Sequence, residues 1–330
     1  MTDGIREALR LYGMERAEVG RIPAHDGGRN DVYAIRIGKV KYILRISALG
    51  DRTEEDYLAE TEFVCYLAEN GAPVAGVIPS NNGKLVERIE YCGKTAFACL
   101  FEYAPGVLIS ENGYRYRDGA PLAEYFYNTG KALGRIHALS KKYKPAYRRT
   151  DFFIKYNMEY IEKLIPDEYA DLKHAMAERL RSFGELPKDG ESYGLVHFDF
   201  NDGNYHIDMN SGKITVFDFD NSLYCSYMYD LADLWLNGEG WCYGENDPGR
   251  RRKIMNDYFA SVLAGYRSET YLPDDMLDKL PLFIDIVLIE NIVDEIETCL
   301  RSARKVVYAD IEDAADCQIR NLKWAGIFGE

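Results

Sequence analysis

Two neighbouring runs, "DVYAIRI" (31–37) and "VKYILRIS" (40–47), are rich in β-branched and aromatic residues and are joined by the turn pair "GK". They predict a pair of strands. The pattern then changes period. "TEEDYLAETEFVCYLAENG" (53–71) reads as a helix, with Thr53 and Asp56 spaced as a capping box and Gly71 at a C-terminal stop. Within it Glu60 shares a stripe with Val64 and Leu67, whereas Glu62 groups with Tyr66 and Glu69, so Glu60 is expected to face inward. "KLVERI" and "TAFACLFEY" predict two more strands, which makes a small sheet with one helix. Pro105 and Gly106 in "EYAPGVLI" interrupt the pattern and mark a boundary between two lobes. Beyond Gly106 the pattern is mostly helical. In "LAEYFYNTGKALGRIHAL" the stripe Leu122, Phe126, Thr129, Leu133 and Ile136 belongs to a buried helix, and His137 on it reads as a hydrogen-bonded core histidine.

Length and charge narrow the choice of function. A chain of 330 residues with 47% hydrophobic residues can fill two modest cores. A net charge of −14 disfavours nucleic acid and anionic membranes as partners and mildly favours a cationic one. The seven cysteines (Cys65, Cys92, Cys99, Cys225, Cys242, Cys299 and Cys317) are odd in number and form no C-x-x-C pair. That fits free thiols in a reducing cytoplasm better than a disulfide framework or a thiolate zinc site. The N-terminus lacks the apolar core of a signal peptide, and "LFIDIVLIENIV" is broken by Asp285 and Glu290 and too short to span a bilayer.

The chemistry concentrates in "VHFDFNDGNYHID" (196–208) and in "ITVFDFDNS" (214–222). Asn210, Ser211 and Gly212 between them are turn residues, so the two stretches predict a β-hairpin. Asn204 and Asp218 are equidistant from Ser211, and in a regular hairpin centred there they would open side by side. An amide oxygen and a carboxylate so placed suit Mg²⁺. Asp199, five residues before Asn204 and separated from it by the bend at Gly203, is positioned to accept a proton from an attacking hydroxyl. The spacing H-x-D-x-x-x-x-N followed by D-F-D matches the base and metal ligands of kinase phosphoryl transfer. An EF-hand loop is excluded, because the sixth and twelfth positions from Asp199 are Asn204 and Asn210. A metal-dependent hydrolase using His197, Asp199, His206 and Asp208 stays open as an alternative.

At these residues the chain resembles the aminoglycoside phosphotransferase and choline kinase-like family. The resemblance rests on "LVHFDFNDGNY", "ITVFDFDNS" and "YMYDLADLW", with weaker agreement in "GGRNDVYAIRI", "YILRIS", the helix carrying Glu60, "LFEYAPG" and "LGRIHALS". It implies an α+β, two-lobed protein-kinase-like fold: a small antiparallel sheet with one helix over residues 1–101, a hinge at 102–106, and a larger, mainly helical lobe over 107–330. It also implies ATP as phosphoryl donor, with GTP left open, and Mg²⁺. Asp199 would be the base and Asn204 and Asp218 the metal ligands. Asp220 would assist, His197 would brace the loop, and Asp230 would hold it from the next helix. Gly27 and Gly28 would cover the phosphates, Arg45 would stand where related kinases carry a lysine and would pair with Glu60, and the backbone at Glu102 would meet adenine. A nucleotide-binding pseudokinase is the alternative on this fold.

Only 12 positions separate Asp218 from Asp230, and the chain has no A-P-E. A peptide-docking activation segment has no room there, so a small-molecule hydroxyl is the expected acceptor. Aromatic residues at Trp235 and Trp241, and carboxylates including Asp294 in the set Asp285, Glu290, Asp294, Glu295 and Glu297, are the candidates for holding a cationic acceptor.

Overall fold

The computed structural model describes residues 2–23 and 28–301. Helix α1 (Asp3–Leu11) precedes strands β1 (Glu18–Ile22), β2 (Asp31–Ile37) and β3 (Val40–Ser47). Helix α2 (Glu54–Glu69) follows, then β4 (Val77–Ile78), β5 (Glu87–Tyr91) and β6 (Lys94–Glu102). These six strands form one antiparallel sheet in the order β1-β2-β3-β6-β4, with β5 also on β6. Tyr33, Ile35, Leu44, Ile46, Ala96, Ala98 and Leu100 fill its covered face. Helix α1 is an addition to the single helix expected here. Its Ile5, Ala8 and Leu9 make an i, i+3, i+4 stripe, which packs into the same core.

Helix α2 carries the capping box expected of it. Thr53 Oγ1 accepts from the Asp56 N–H, the Asp56 carboxylate accepts from the Thr53 N–H, and Gly71 beyond the end has φ +76°. The second lobe begins with α3 (Leu122–Ser140), α4 (Phe152–Lys155), α5 (Met158–Leu164) and α6 (Ala170–Gly184). Four short strands follow: β7 (Tyr193–Val196), β8 (Tyr205–Ile207), β9 (Ile214–Val216) and β10 (Leu223–Ser226). The chain then continues into α7 (Met228–Asn237), α8 (Pro248–Arg267), α9 (Asp274–Leu277) and α10 (Leu280–Arg301). Helices α3 and α8 pack almost backbone to backbone: a Cβ at Gly130 would lie 1.9 Å from the Val262 carbonyl oxygen, and one at Gly265 1.9 Å from that of Tyr127. Together with α7 and α10 they form a continuous apolar core under the β7–β10 segment. The architecture is the expected α+β, two-lobed protein-kinase-like one. No helix among the described residues is long and apolar enough to cross a membrane.

Candidate active site

Between β7 and β8 the chain makes the loop that carries Asp199. Phe198 at its start has φ +70°, a conformation that strains a bulky residue by about 1–3 kcal/mol. Asp230 on α7 holds it there. Its carboxylate is fully buried and accepts from the backbone N–H of His197 and of Phe198, both at 2.9 Å. It also meets His137 Nε2 at 3.0 Å. The Phe198 ring stacks on Tyr229 at 4.2 Å. His137 bonds the Tyr266 hydroxyl through its other nitrogen, and burial lowers its pKa against the pull of Asp230. It is therefore a neutral core histidine.

The Asp199 carboxylate is fixed at both oxygens by amides. Asn201 Nδ2 donates to Oδ1 at 2.5 Å and Asn204 Nδ2 to Oδ2 at 2.9 Å. Asn204 Nδ2 also reaches the Asp199 carbonyl at 2.8 Å, while Asn201 Oδ1 accepts from the Gly203 N–H at 2.9 Å. Asn201 was not singled out in the sequence; its place two residues after Asp199, within an amide-rich loop, is the signal that points to it.

The hairpin register differs from the expectation by one residue. Tyr205 faces Val216, His206 faces Thr215 and Ile207 faces Ile214, so Asn204 faces Phe217, whose N–H donates to the Asn204 carbonyl at 2.9 Å. The cause lies in the turn. The Asp208 N–H bonds the Lys213 carbonyl, leaving a four-residue turn whose centre falls between Asn210 and Ser211. The Asp208 carboxylate accepts from the Asn210 N–H at 2.9 Å and the Ser211 hydroxyl at 2.7 Å, and Gly212 has φ +72°. Such a slip would turn Asp218 to the wrong face. Instead the chain leaves the ladder at Asp218, with φ +65°, and the carboxylate enters the cleft. The Asn204 and Asp218 side chains do not bond each other.

Asp199, Asp218 and Asp220 line one cavity of about 1350 Å³. Burial and the neighbouring Asp220 push the Asp218 carboxyl up to about 8, although 46% of its side chain borders the open cleft. Asp220 titrates low: burial opposes this, but Arg52, Arg45 and the Asn30 amide outweigh it. Asn30 Nδ2 reaches its Oδ2 at 2.9 Å and Arg52 at 3.3 Å. Arg45 acts on both carboxylates, but Asp220 has Arg52 and the Asn30 amide against it as well and so keeps the charge more readily than Asp218. His197 Nε2 bonds the Phe217 carbonyl at 3.0 Å and so ties the Asp199 loop to the strand before Asp218.

The Arg45 guanidinium grips Glu60 through two parallel bonds of 2.7 and 2.6 Å, with both side chains buried. It lies 3.8 Å from Asp218. Arg149, also outside the sequence expectations, donates to the carbonyls of Ser222, Asp220 and Asp56 and so links the segment after Asp218 to the start of α2. Gly28 lines the cavity; Gly27 lies outside the described residues. Glu102 is not among the lining residues. Its N–H donates to the Gly76 carbonyl at 2.8 Å and its carboxylate accepts from the Gly76 N–H at 3.1 Å.

The opposite wall of the cavity is acidic. Helix α10 brings Glu290, Asp294, Glu295 and Glu297 to it, facing Lys155 and Tyr156. Glu297 is paired with Lys155 at 3.1 Å and bonded by Tyr160. Among the described residues Glu290 bonds the Tyr156 hydroxyl, at 3.1 Å, and burial together with Asp294 pushes its carboxyl up to about 8. Trp235 and Trp241 are elsewhere. Trp235 is fully buried in the helical core, and Trp241 packs edge-on against Phe126, Tyr125 and Tyr114. The helical spacing that made them conspicuous is that of core residues, so of the acceptor candidates the carboxylates Glu290, Asp294, Glu295 and Glu297 reach the cavity and Trp235 and Trp241 do not. Asp285 bonds Arg179 away from it.

Comparison with known proteins bears on the family and the fold. Residues 21–269 match the model of the phosphotransferase enzyme family. Amicoumacin kinase of Bacillus subtilis (strain 168) is 28% identical over 284 residues, which cover 85% of this chain and 80% of that one. An amicoumacin kinase solved in complex with AMP-PNP, Ca²⁺ and Ami superposes with a TM-score of 0.78 at 24% identity, covering 98% of this chain and 92% of that one. A microcompartment-associated aminopropanol kinase superposes with a TM-score of 0.70 at 19% identity, covering 98% and 93%.

Proposed function

Starting from the fact that the chain belongs to the phosphotransferase enzyme family and is a small-molecule kinase, we propose that it transfers the terminal phosphoryl group of ATP to a hydroxyl of a small acceptor carrying a positive charge. The observation that carries this reading is the shared cavity. Its floor holds Asp199 fixed at both oxygens beside Asp218 and Asp220, and its far wall holds the carboxylates of α10. The acceptor ammonium would meet Glu290 and Asp294, which places a nearby hydroxyl over Asp199. The related proteins solved with AMP-PNP and Ca²⁺, or named for aminopropanol, fit a nucleotide donor and an amino-alcohol acceptor.

Asp199 acts as base: it takes the hydroxyl proton as the acceptor oxygen bonds to phosphorus and the bond from phosphorus to the nucleotide's bridging oxygen breaks. The amides of Asn201 and Asn204 keep its carboxylate aimed, so the contribution is largely positioning. The residues present fit Mg²⁺. Asn204 uses its Nδ2 on Asp199, leaving Oδ1 without a donor among the described residues, and Asp218 is a carboxylate whose charge its neighbours oppose. When bound, the ion would neutralise phosphate charge from Asn204 and Asp218. Asp220 would assist, Arg45 with Glu60 would back the phosphates, and Gly27 and Gly28 would cover them. The hinge would be residues 102–106, joining lobes of 1–101 and 107–330, and adenine would lie against the backbone after Glu102. The setting is the reducing cytoplasm, in keeping with the unbridged thiols of Cys65, Cys92, Cys99, Cys225 and Cys242.

The test is a Mg²⁺–ATP phosphorylation screen over pooled amino alcohols, amino sugars and aminoglycosides. Turnover of a cationic acceptor that falls about 10²- to 10⁴-fold in Asp199→Ala is the expected result. Undiminished transfer by Asp199→Ala overturns the base assignment, and turnover restricted to neutral or anionic acceptors overturns the acceptor class.

A further inference from the structure

Four arginines surround the aspartate cluster, and their bonding differs. Arg45 is 5% exposed, has both amino groups on Glu60, and is not among the residues lining the cavity. Arg149 lines the cavity, but all three of its nitrogens are occupied by the carbonyls of Ser222, Asp56 and Asp220. Arg29 also lines the cavity and lies 3.7 Å from Asp51, and its charge acts on both Asp220 and Glu297 of α10, but it makes no direct bond to the aspartate cluster among the described residues. Arg52 is different. It comes from the loop between β3 and α2, lines the cavity with Gly28, Asp218 and Asp220, and its side chain is 13% exposed. Its two contacts, Asp220 Oδ2 at 3.3 Å and Asn221 Oδ1 at 3.1 Å, are longer than the 2.7–2.9 Å usual for charge-assisted bonds. Its other guanidinium N–H groups have no acceptor among the described residues.

We propose that Arg52 is a phosphate-binding residue of this kinase, its guanidinium forking onto the terminal phosphate oxygens of the nucleotide donor. The assignment rests on ATP being the phosphoryl donor and identifies which cation does the work on the open side of the cleft. A planar fork suits phosphate better than a point charge does, and the charge of Arg45 is already matched by Glu60. Asp220 can release Arg52 because it keeps the Asn30 amide at 2.9 Å, itself held by Ser47 Oγ at 2.5 Å. Arg52 thus exchanges a carboxylate for phosphate without leaving a buried charge bare. Because the same side chain spans from the β3–α2 loop to Asn221, its engagement also draws the two sides of the cleft onto the phosphates.

The experiment is titration calorimetry on the full chain with Mg²⁺ and, separately, ATP, ADP, AMP and adenosine, for wild type, Arg52→Met and Arg52→Lys. Unfolding midpoints of the free proteins are measured alongside. Arg52→Met is expected to weaken ATP by about 10- to 100-fold, the loss of one charge-assisted contact. ADP should weaken less and adenosine not at all. Arg52→Lys, which keeps the charge and the pairing with Asp220 but not the fork, should lie between. If Arg52→Met does not fold, the same graded loss in Arg52→Lys supports the assignment. A loss equal for adenosine and ATP shows that Arg52 only holds the cleft together and overturns the proposal, as does unchanged ATP affinity in a folded variant. Wild-type protein that binds none of the phosphorylated ligands overturns the ATP reading, and this assignment with it.

Discussion

Substituting Asp230 by Asn tests whether the Asp199 loop is held in shape by one buried carboxylate. Asp230 accepts two backbone N–H bonds of 2.9 Å, from His197 and Phe198, and a third bond of 3.0 Å from His137. An asparagine keeps one acceptor oxygen and places an NH₂ where the other acceptor stood. One loop N–H then loses its partner and faces another donor. A charge-assisted bond contributes about 1.5–3 kcal/mol, and stranding a buried donor costs a further ~1–3 kcal/mol. Relaxation of Phe198 from its left-handed conformation returns about 1–3 kcal/mol. The net expectation is a loss of roughly 2–4 kcal/mol in urea unfolding, with unchanged m-value. Relaxation also releases Asp199, so kcat should fall at least tenfold while nucleotide KM stays within about twofold, since Asp230 is not itself among the residues lining the cavity. The Phe198→Gly background adds a sharper control. Glycine adopts φ +70° without strain, so Asp230→Asn should cost kcat less there, in a double-mutant cycle. Equal loss of kcat in both backgrounds, or a stability change below about 0.5 kcal/mol, would show that the loop keeps its shape without Asp230.

The burial and titration of two glutamates give further expected outcomes. Glu60→Gln leaves the buried Arg45 guanidinium without its counter-charge, so it should cost about 3–5 kcal/mol of stability in chemical denaturation; a cost under about 1 kcal/mol would mean that water or another group replaces the pair. Glu290 holds its proton up to about 8 in the folded protein, against a usual glutamate value of 4.5. The native state therefore binds the extra proton between those values, and its contribution to stability falls as pH rises from about 4.5 to 8 and is level above. Glu290→Gln should flatten that part of the stability-against-pH curve, and affinity for a cationic acceptor in the wild type should rise towards pH 8 as the carboxylate ionises. Identical pH profiles for the two proteins would refute the assignment of Glu290.

Much of this organisation was legible along the chain because it is local. Strands β2 and β3 declare themselves by β-branched residues, β6 by Phe97 and Phe101, and α2 by its capping box and inward stripe, on which Glu60 turns to Arg45. Helix α1 escaped notice because nine residues with two arginines, a glutamate and an aspartate carry few apolar positions, and its stripe has meaning only once β5 is there to receive it. The hairpin was evident from its turn residues, but its register was not. One carboxylate, Asp208, sets the turn length, and nothing in the spacing of Asn204 and Asp218 reports which backbone groups Asp208 will hold.

What the sequence by itself determined is the list of candidate reacting groups and their order: Asp199, Asn204 and Asp218 on neighbouring segments, a buried partner for Arg45, and too little chain between Asp218 and Asp230 for a peptide-docking segment. Those features depend on short spacings and residue chemistry. The tertiary structure decided the rest. It brought α10 from about ninety residues away to the cavity that Asp199 lines, packed Trp235 into the helical core and Trp241 against it, and distributed the arginines so that Arg52 meets Asp220 and Asn221 by long bonds on the open side of the cleft. Acidic and aromatic residues look alike along a helix whether they line a cavity or cover a core. Only the packing of distant elements, which buries some faces and leaves others open to the cleft, separates the two.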